Sequence, residues 1–259
     1  MSPLSGVLNE AWAMYKRHAA HFIVISFAIF LVISLISALL SWAGGTIGSW
    51  VALIFTFFGI FLMQAALTKA VQDVRDGRAD LSLGQTVSAA VPFVGAVALA
   101  SILASIGIAI GFVLIIVPGL ILLTFWSLIV PWIVIGGSTA LDSFGRSWRT
   151  VRGYAWHVFG TYVLVFLIEI VFNIILSVIL LALPYAARSF IASLVSGTLV
   201  APFIAAVITL VYYRLAAAHG EAAEPGAPAG GYGQPPGGYG EQPGGYPPPG
   251  GYPPPGGTP

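Results

Sequence analysis

A single acidic side chain stands in the middle of a long apolar run. Glu169 lies within VLVFLIEIVFNIIL, and Asn173 follows four residues later, so on a helix the two share one face a turn apart. An ionised side chain at the centre of a bilayer costs about 2.5–3.5 kcal/mol on insertion scales, so such a group is expected to face a bundle interior and to have a partner there. Two chemistries fit it. One is a proton-coupled or ligand-binding carboxylate, with Gln64 of another apolar run as partner; the other is a neutral Glu that hydrogen-bonds across helices. A second constellation is charged: Arg146, Arg149 and Arg152 flank an apolar stripe of Leu141, Phe144, Trp148, Val151 and Ala155 at helical spacing. With Asp142 as N-cap, this predicts a short interfacial helix, its stripe in the acyl boundary and its guanidinium groups near lipid phosphates. Fixing topology is the simpler role for three arginines, fewer than lipid-recognition clusters carry.

Other chemistry is excluded by what the chain lacks. His18 and His21 are three apart, but the neighbouring sequence offers neither a carboxylate nor a third ligand, so they are expected to be interfacial residues and no metal site is expected. There are no cysteines, hence no disulfide, iron–sulfur or thiol chemistry. No glycine-rich phosphate loop, GxSxG elbow, HExxH pair or catalytically spaced carboxylates occur. The expectation is a chain that is not an enzyme and uses no cofactor, and a formal charge of +1 gives no footprint for nucleic acid.

The elements that must position these residues follow from composition. With 58% hydrophobic and only 7% charged residues and a mean hydropathy of +0.95, most of the chain needs lipid as its solvent. The fold expected is an all-α polytopic membrane domain over residues 1–216, with about six transmembrane helices arranged as three hairpins. Uncharged runs place the spans at about 22–42, 50–70, 91–117, 119–137, 158–183 and 191–213. Trp42 and Trp50 bracket a small Gly/Ser loop as interfacial aromatics, Pro118-Gly119 is the expected turn between the third and fourth spans, and Pro184 ends the fifth. Gly107 and Gly111 are spaced for close helix packing.

Lys16, Arg17, Lys69, Arg75, Arg78, Arg146, Arg149, Arg152 and Arg214 all fall on the side of the N-terminus, and only Arg188 falls opposite. Nine against one puts both termini in the cytoplasm, expected here to be that of a bacterium with the chain in its plasma membrane. Trp12, Lys16, Ala19 and His21 also match Trp148, Arg152, Ala155 and His157 at a constant offset of 136, which suggests a repeated unit of cytoplasmic amphipathic segment plus hairpin, with 81–91 as a degenerate copy.

Pro118-Gly119, Pro131, Ala140-Leu141, Arg146-Ser147-Trp148 and Gly153 together resemble the membrane-domain family found beside some bacterial glycerophosphodiester phosphodiesterases, and its related six-helix proteins of unassigned function. The resemblance covers about residues 1–215 and is most specific in ALDSFGRSWRTVRG. It implies a fold and a location. An acidic residue often follows the Pro-led run in that family, whereas Gly136-Gly137 stand here, and nothing outside the spans has room for a phosphodiesterase domain.

The last segment, 217–259, holds 12 of the 18 prolines and repeats Gly-Gly-Tyr from 230, 237, 244 and 250. It is expected to be a disordered cytoplasmic tail, either a solubilising spacer or an arm that binds protein partners through polyproline and tyrosine contacts. Two functions follow from the sequence. The first is a non-catalytic scaffold or accessory factor whose tail recruits partners. The second is a lipid or small-solute transporter built on Glu169. Membrane lipids are partners in both.

Overall fold

The structure, a computed structural model, describes residues 3–75, 77 and 79–221. Arg78 and the tail from residue 222 onward lie outside the described residues, so the tail expectations concern sequence alone. All regular structure among the described residues is helical. Helix α1 (Val7–Arg17) buries Val7, Ala11 and Tyr15, spaced four apart, on one face. Helix α2 (Ala19–Val74) follows at once. Its 56 residues would reach roughly 84 Å at 1.5 Å each, nearly three times the hydrocarbon thickness of about 30 Å.

It does not run straight. Gly45 adopts φ 54, ψ −133, a conformation closed to side-chain-bearing residues, and the chain folds back on itself there. The Ser37 and Thr56 hydroxyls meet at 2.7 Å across the two limbs, and Gly59 packs so closely on Ile33 that a Cβ would collide. The Gly/Ser loop expected between the tryptophans is thus reduced to one non-helical residue, because Gly44 and Gly45 let the chain reverse without a longer connection. Trp42 and Trp50 remain on the outside of the bend, 84% and 66% exposed.

Helix α3 (Leu83–Ala90) begins with a capping box in which Ser82 and Gln85 satisfy each other's backbone N–H groups. A 3₁₀ turn at Val91–Phe93 leads into α4 (Val94–Leu114). The reversal after α4 falls at Ile115 (φ −160, ψ 149) and not at Pro118-Gly119. Pro118 is instead the third residue of α5 (Ile116–Phe125), where a helix asks for no N–H, and Gly119 is spent on packing: a Cβ on Gly111 would lie 2.9 Å from its Cα. The 119–137 stretch is also not one helix. It breaks at Trp126–Leu128 and resumes as the short α6 (Ile129–Val134), with Pro131 again third.

Helix α7 (Ala140–Val151) is capped by Thr139, whose hydroxyl oxygen accepts from the Asp142 N–H and whose hydroxyl donates to the Asp142 carboxylate. The expected Asp142 cap is therefore displaced by three residues, because Thr139 already has the extended backbone a cap needs. Extended Arg152 and Gly153 at φ 93 end α7 before Ala155, so the stripe residue Ala155 begins α8 (Ala155–Ile179). Pro184 then caps α9 (Tyr185–Ala218). The sequence placed these last two segments at 158–183 and 191–213.

Helix α9 packs along α1 and α2. Small residues, Ala65, Ala66 and Ala70 with Ala206, are buried in this core, so backbones approach closely as they do where lipid supplies no hydrophobic drive between helices. Outward, Val113, Ile116, Leu181 and Trp156 are 66–87% exposed. Water would not tolerate such a surface; acyl chains do. Five helical segments, 19–74, 83–114, 116–134, 155–179 and 191–218, are long and apolar enough to cross a membrane.

Candidate functional site

A cavity of about 770 Å³ lies between the two limbs of α2, helix α6 and α9. From Thr56 to Thr68 of its α2 wall is twelve residues, roughly 18 Å of helix. Most of the wall is apolar, from Phe30, Ile33, Met63 and Ile204, and no charged residue is among the described residues lining it. Its polar groups are few: Ser37 and Thr56 are bonded to each other, the Thr68 hydroxyl donates to the Gln64 carbonyl, and the Ser127 hydroxyl donates to the Thr124 carbonyl. The Gln64 side-chain amide differs. It lines the cavity half-buried and bonds to no described residue, so two donors and an acceptor face the space. Ile60 also lines it while 50% exposed, so the cavity reaches the lipid-facing surface.

One wall is the broken segment between α5 and α6. Ser147 of α7 reaches across the break: its hydroxyl donates to the Phe125 carbonyl at 2.6 Å and accepts from the Leu128 N–H at 3.1 Å. Three residues on, Thr150 accepts from the Trp132 indole N–H at 3.1 Å. Trp132 is fully buried, edge-on to Tyr212 at 5.0 Å, with the Arg146 guanidinium 5.1 Å from its ring centre. Helix α7 therefore buries Ala140, Ser143, Ser147, Thr150 and Val151 against the bundle. Its apolar stripe is divided: Leu141 and Trp148 stay 67% and 38% exposed, Phe144 packs on Trp126, and Val151 is buried. Arg146, Arg149 and Arg152 are all exposed. The stripe and the arginines were legible in sequence; the serines that seal the break were hidden beside them at the same helical spacing.

The ends that carry positive charge come together. Arg214 of α9 pairs with Glu10 of α1 and donates to the Pro3 and Ser5 carbonyls. Arg75 stacks over Tyr213, 3.8 Å from its ring centre. The His219 ring is 3.0 Å from the Thr150 carbonyl. Tyr15 stacks on Trp12 and Phe22, and burial pushes its phenol pKa up. His21 does acquire a carboxylate: Asp73, distant in sequence, lies 3.8 Å from its Nε2 while the Asp73 Oδ2 accepts from the Leu81 N–H. The hairpin in α2 is what delivers it. Among the described residues no group of three or more metal-ligating side chains forms.

Glu169 lies elsewhere. It is half-buried on α8, and Asn173 turns back to donate to the Glu169 backbone carbonyl at 2.9 Å, leaving the carboxylate aside. Asn173 lines a separate groove with Ser177 and Arg188 at the opposite end of the bundle. Gln64 lines the cavity, which contains neither Glu169 nor Asn173, so the structure does not bring the three together.

An all-helical bundle with a lipid-facing apolar exterior and an internal apolar cavity defines a polytopic membrane protein. Residues 76–219, more than half of the chain, match a domain of unknown function, DUF7847, and the chain belongs to that family. The match carries no link to the phosphodiesterase-associated membrane domains that the 118–153 motifs resemble. Comparison with curated proteins and with solved structures found no match.

Proposed function

We propose that this chain is a non-catalytic integral membrane protein that takes a lipid-like molecule from the bilayer into the cavity between α2, α6 and α9. The observation that carries this reading is the cavity itself: about 770 Å³, apolar, continuous with the lipid-facing surface at Ile60, and supplied with one uncommitted amide. Pockets of this size and lining hold ligands in general. In this reading α2 crosses the membrane twice, which with the other four segments makes six crossings. The clustered positive ends of α1, α2, α7 and α9 face the cytoplasm of a bacterial plasma membrane. The resemblance of ALDSFGRSWRTVRG to the phosphodiesterase-associated membrane domains is compatible with lipid handling and adds no activity of its own. Glu169 is structural here, since it lines no part of the cavity.

The test is lipid extraction and mass spectrometry of the chain purified from native membranes in mild detergent. An Ala201→Phe/Ala205→Phe pair fills the cavity and should lower the copurifying lipid at least several-fold, while Glu169→Gln should match the parent. If the filled variant melts like the parent yet keeps the same lipids, the cavity is not a binding site. A second reading, a scaffold that recruits cytoplasmic partners, is favoured by the repeated Gly-Gly-Tyr and proline runs of the tail. Stopping the chain after Glu221 should release proteins that copurify with the full chain, without changing its lipids.

A further inference from the structure

The lining of the cavity specifies what the head of its occupant must be. No Lys, Arg, His, Asp or Glu is among the described residues around it. A phosphate or ammonium head drawn inside would leave water without a counter-charge, and burial of an unpaired charge is the most expensive event a membrane interior offers. A plain alkyl chain is equally unsuited, because it leaves the Gln64 amide unsatisfied in the one medium where water does not come to its aid.

A second unmet group belongs to a residue of the same lining. Pro131 has no N–H, so the Ser127 carbonyl four residues earlier has no helical donor, and no described residue donates to it. Ser127 and Pro131 are both among the residues that line the cavity. Gln64, on α2, lines the same cavity. Together they offer an acceptor that wants a hydroxyl and an amide that both donates and accepts. The break that frees this carbonyl is held in place from behind by Ser147, whose two hydrogen bonds satisfy Phe125 and Leu128 but not Ser127.

Resting on the reading of this cavity as a lipid site, we propose that its ligand is an uncharged glycerolipid of the diacylglycerol class, its hydroxyl bonded to the Ser127 carbonyl and an ester carbonyl to the Gln64 amide. The acyl chains would follow the apolar wall and leave toward the bilayer beside Ile60. Phospholipids with anionic heads would find no counter-charge among the described lining residues.

The experiment uses the full chain in detergent micelles, with tritiated dioleoylglycerol as the probe and dioleoylphosphatidylglycerol as the anionic comparison. Dioleoylglycerol should bind saturably and the anionic lipid at least tenfold more weakly. Gln64→Leu keeps the volume and removes the amide, so it should weaken dioleoylglycerol binding about tenfold while thermal melting stays parental; Gln64→Asn should recover part of it. Equal binding of both lipids, or an unchanged affinity in Gln64→Leu, overturns the assignment of an uncharged head. If Ala201→Phe/Ala205→Phe abolishes binding of either lipid in that case, the cavity still holds lipid and only the head class is wrong. If that filled variant binds as the parent does, the cavity reading fails and the ligand class with it. Should Gln64→Leu not fold, Gln64→Glu serves: a carboxylate there must repel the anionic lipid further and disturb dioleoylglycerol binding at high pH more than at low pH.

Discussion

At the residue scale, the molecule turns on side chains that stand in for missing backbone partners. Ser147 is the clearest. A helix that stops inside an apolar bundle leaves carbonyls and N–H groups that lipid cannot satisfy, and one hydroxyl supplies both an O–H for Phe125 and an oxygen for Leu128. Ser147→Ala should cost about 1–3 kcal/mol, because two buried backbone groups lose their partner at once. Ser143→Ala on the same face should cost less, since that hydroxyl only donates to the Ala140 carbonyl of its own helix. Thermal melting of the two variants in one detergent checks the order; equal melting temperatures would mean that water or a neighbouring group replaces Ser147. The sequence showed Ser147 inside its most specific motif, yet gave no means of seeing what the hydroxyl touches, because its partners lie 19 and 22 residues away. Pro131 was the available signal. A proline that deep in an apolar run frees the carbonyl four residues before it, and Ser127, which carries that carbonyl, is among the residues lining the cavity. Glu169 stands out in sequence for its charge, whereas Gln64 is the one of the two that lines the cavity.

At the scale of elements, apolar runs identified where helices lie but not how they break. Length and hydropathy locate α4, α8 and α9 to within several residues, because a run of apolar residues in lipid has only the helix available to it. The connections follow different physics. Pro118-Gly119 is the turn the sequence suggests, yet third positions of helices make no use of proline's missing N–H, so α5 and α6 each carry proline near their start and the chain reverses at Ile115 instead. The α2 hairpin depends on Gly45, whose φ of 54 and ψ of −133 admit no side chain without strain. Gly45→Val should cost about 1–3 kcal/mol and lower the yield of monodisperse protein, since strained backbone of this kind persists only where surroundings enforce it. Gly44→Ala, at a position with open space around a Cβ, should be tolerated. Size-exclusion profiles and melting temperatures of the pair separate a hairpin that needs this conformation from one held by Ser37–Thr56 and Gly59–Ile33 alone. The short helices α1, α3 and α7 each precede a long one, and Ala19 and Ala155 both open their long helices, so the offset of 136 falls on equivalent places in the fold. Asp73 shows what an offset cannot reveal: it reaches His21 only because α2 doubles back.

At the scale of the whole molecule, the basic residues on one side belong to elements that touch. Arg214 ties the end of α9 to the start of the chain, Arg75 covers Tyr213, and His219 meets the end of α7. A fold in which α2 crossed once would put Lys16 and Arg75 on opposite faces of the membrane; the doubled α2 puts them together, which is why charge segregation and the Gly45 bend support one topology. The chain has no cysteine, so single ones can be placed without background. In intact cells, an impermeant maleimide should label Ser49→Cys, which sits in the bend of α2, and should leave Ser5→Cys and Asp80→Cys unlabelled until the membrane is opened. Labelling of all three from outside would remove the two-crossing α2. Labelling of Ser5→Cys and Asp80→Cys from outside, with Ser49→Cys protected, would keep six crossings but invert them, and the nine basic residues would then face away from the cytoplasm, against the rule that governs insertion. The proposed orientation would also set which leaflet feeds the cavity. Its wall runs from Thr56 toward Thr68, one residue short of Lys69, so with the basic ends inside, the Gln64 end lies nearer the cytoplasmic leaflet. A lipid supplied from that leaflet should therefore reach the Ile60 opening of the reconstituted protein, and loading of dioleoylglycerol into proteoliposomes should be blocked by Ala201→Phe/Ala205→Phe in the same orientation that the maleimide labels define.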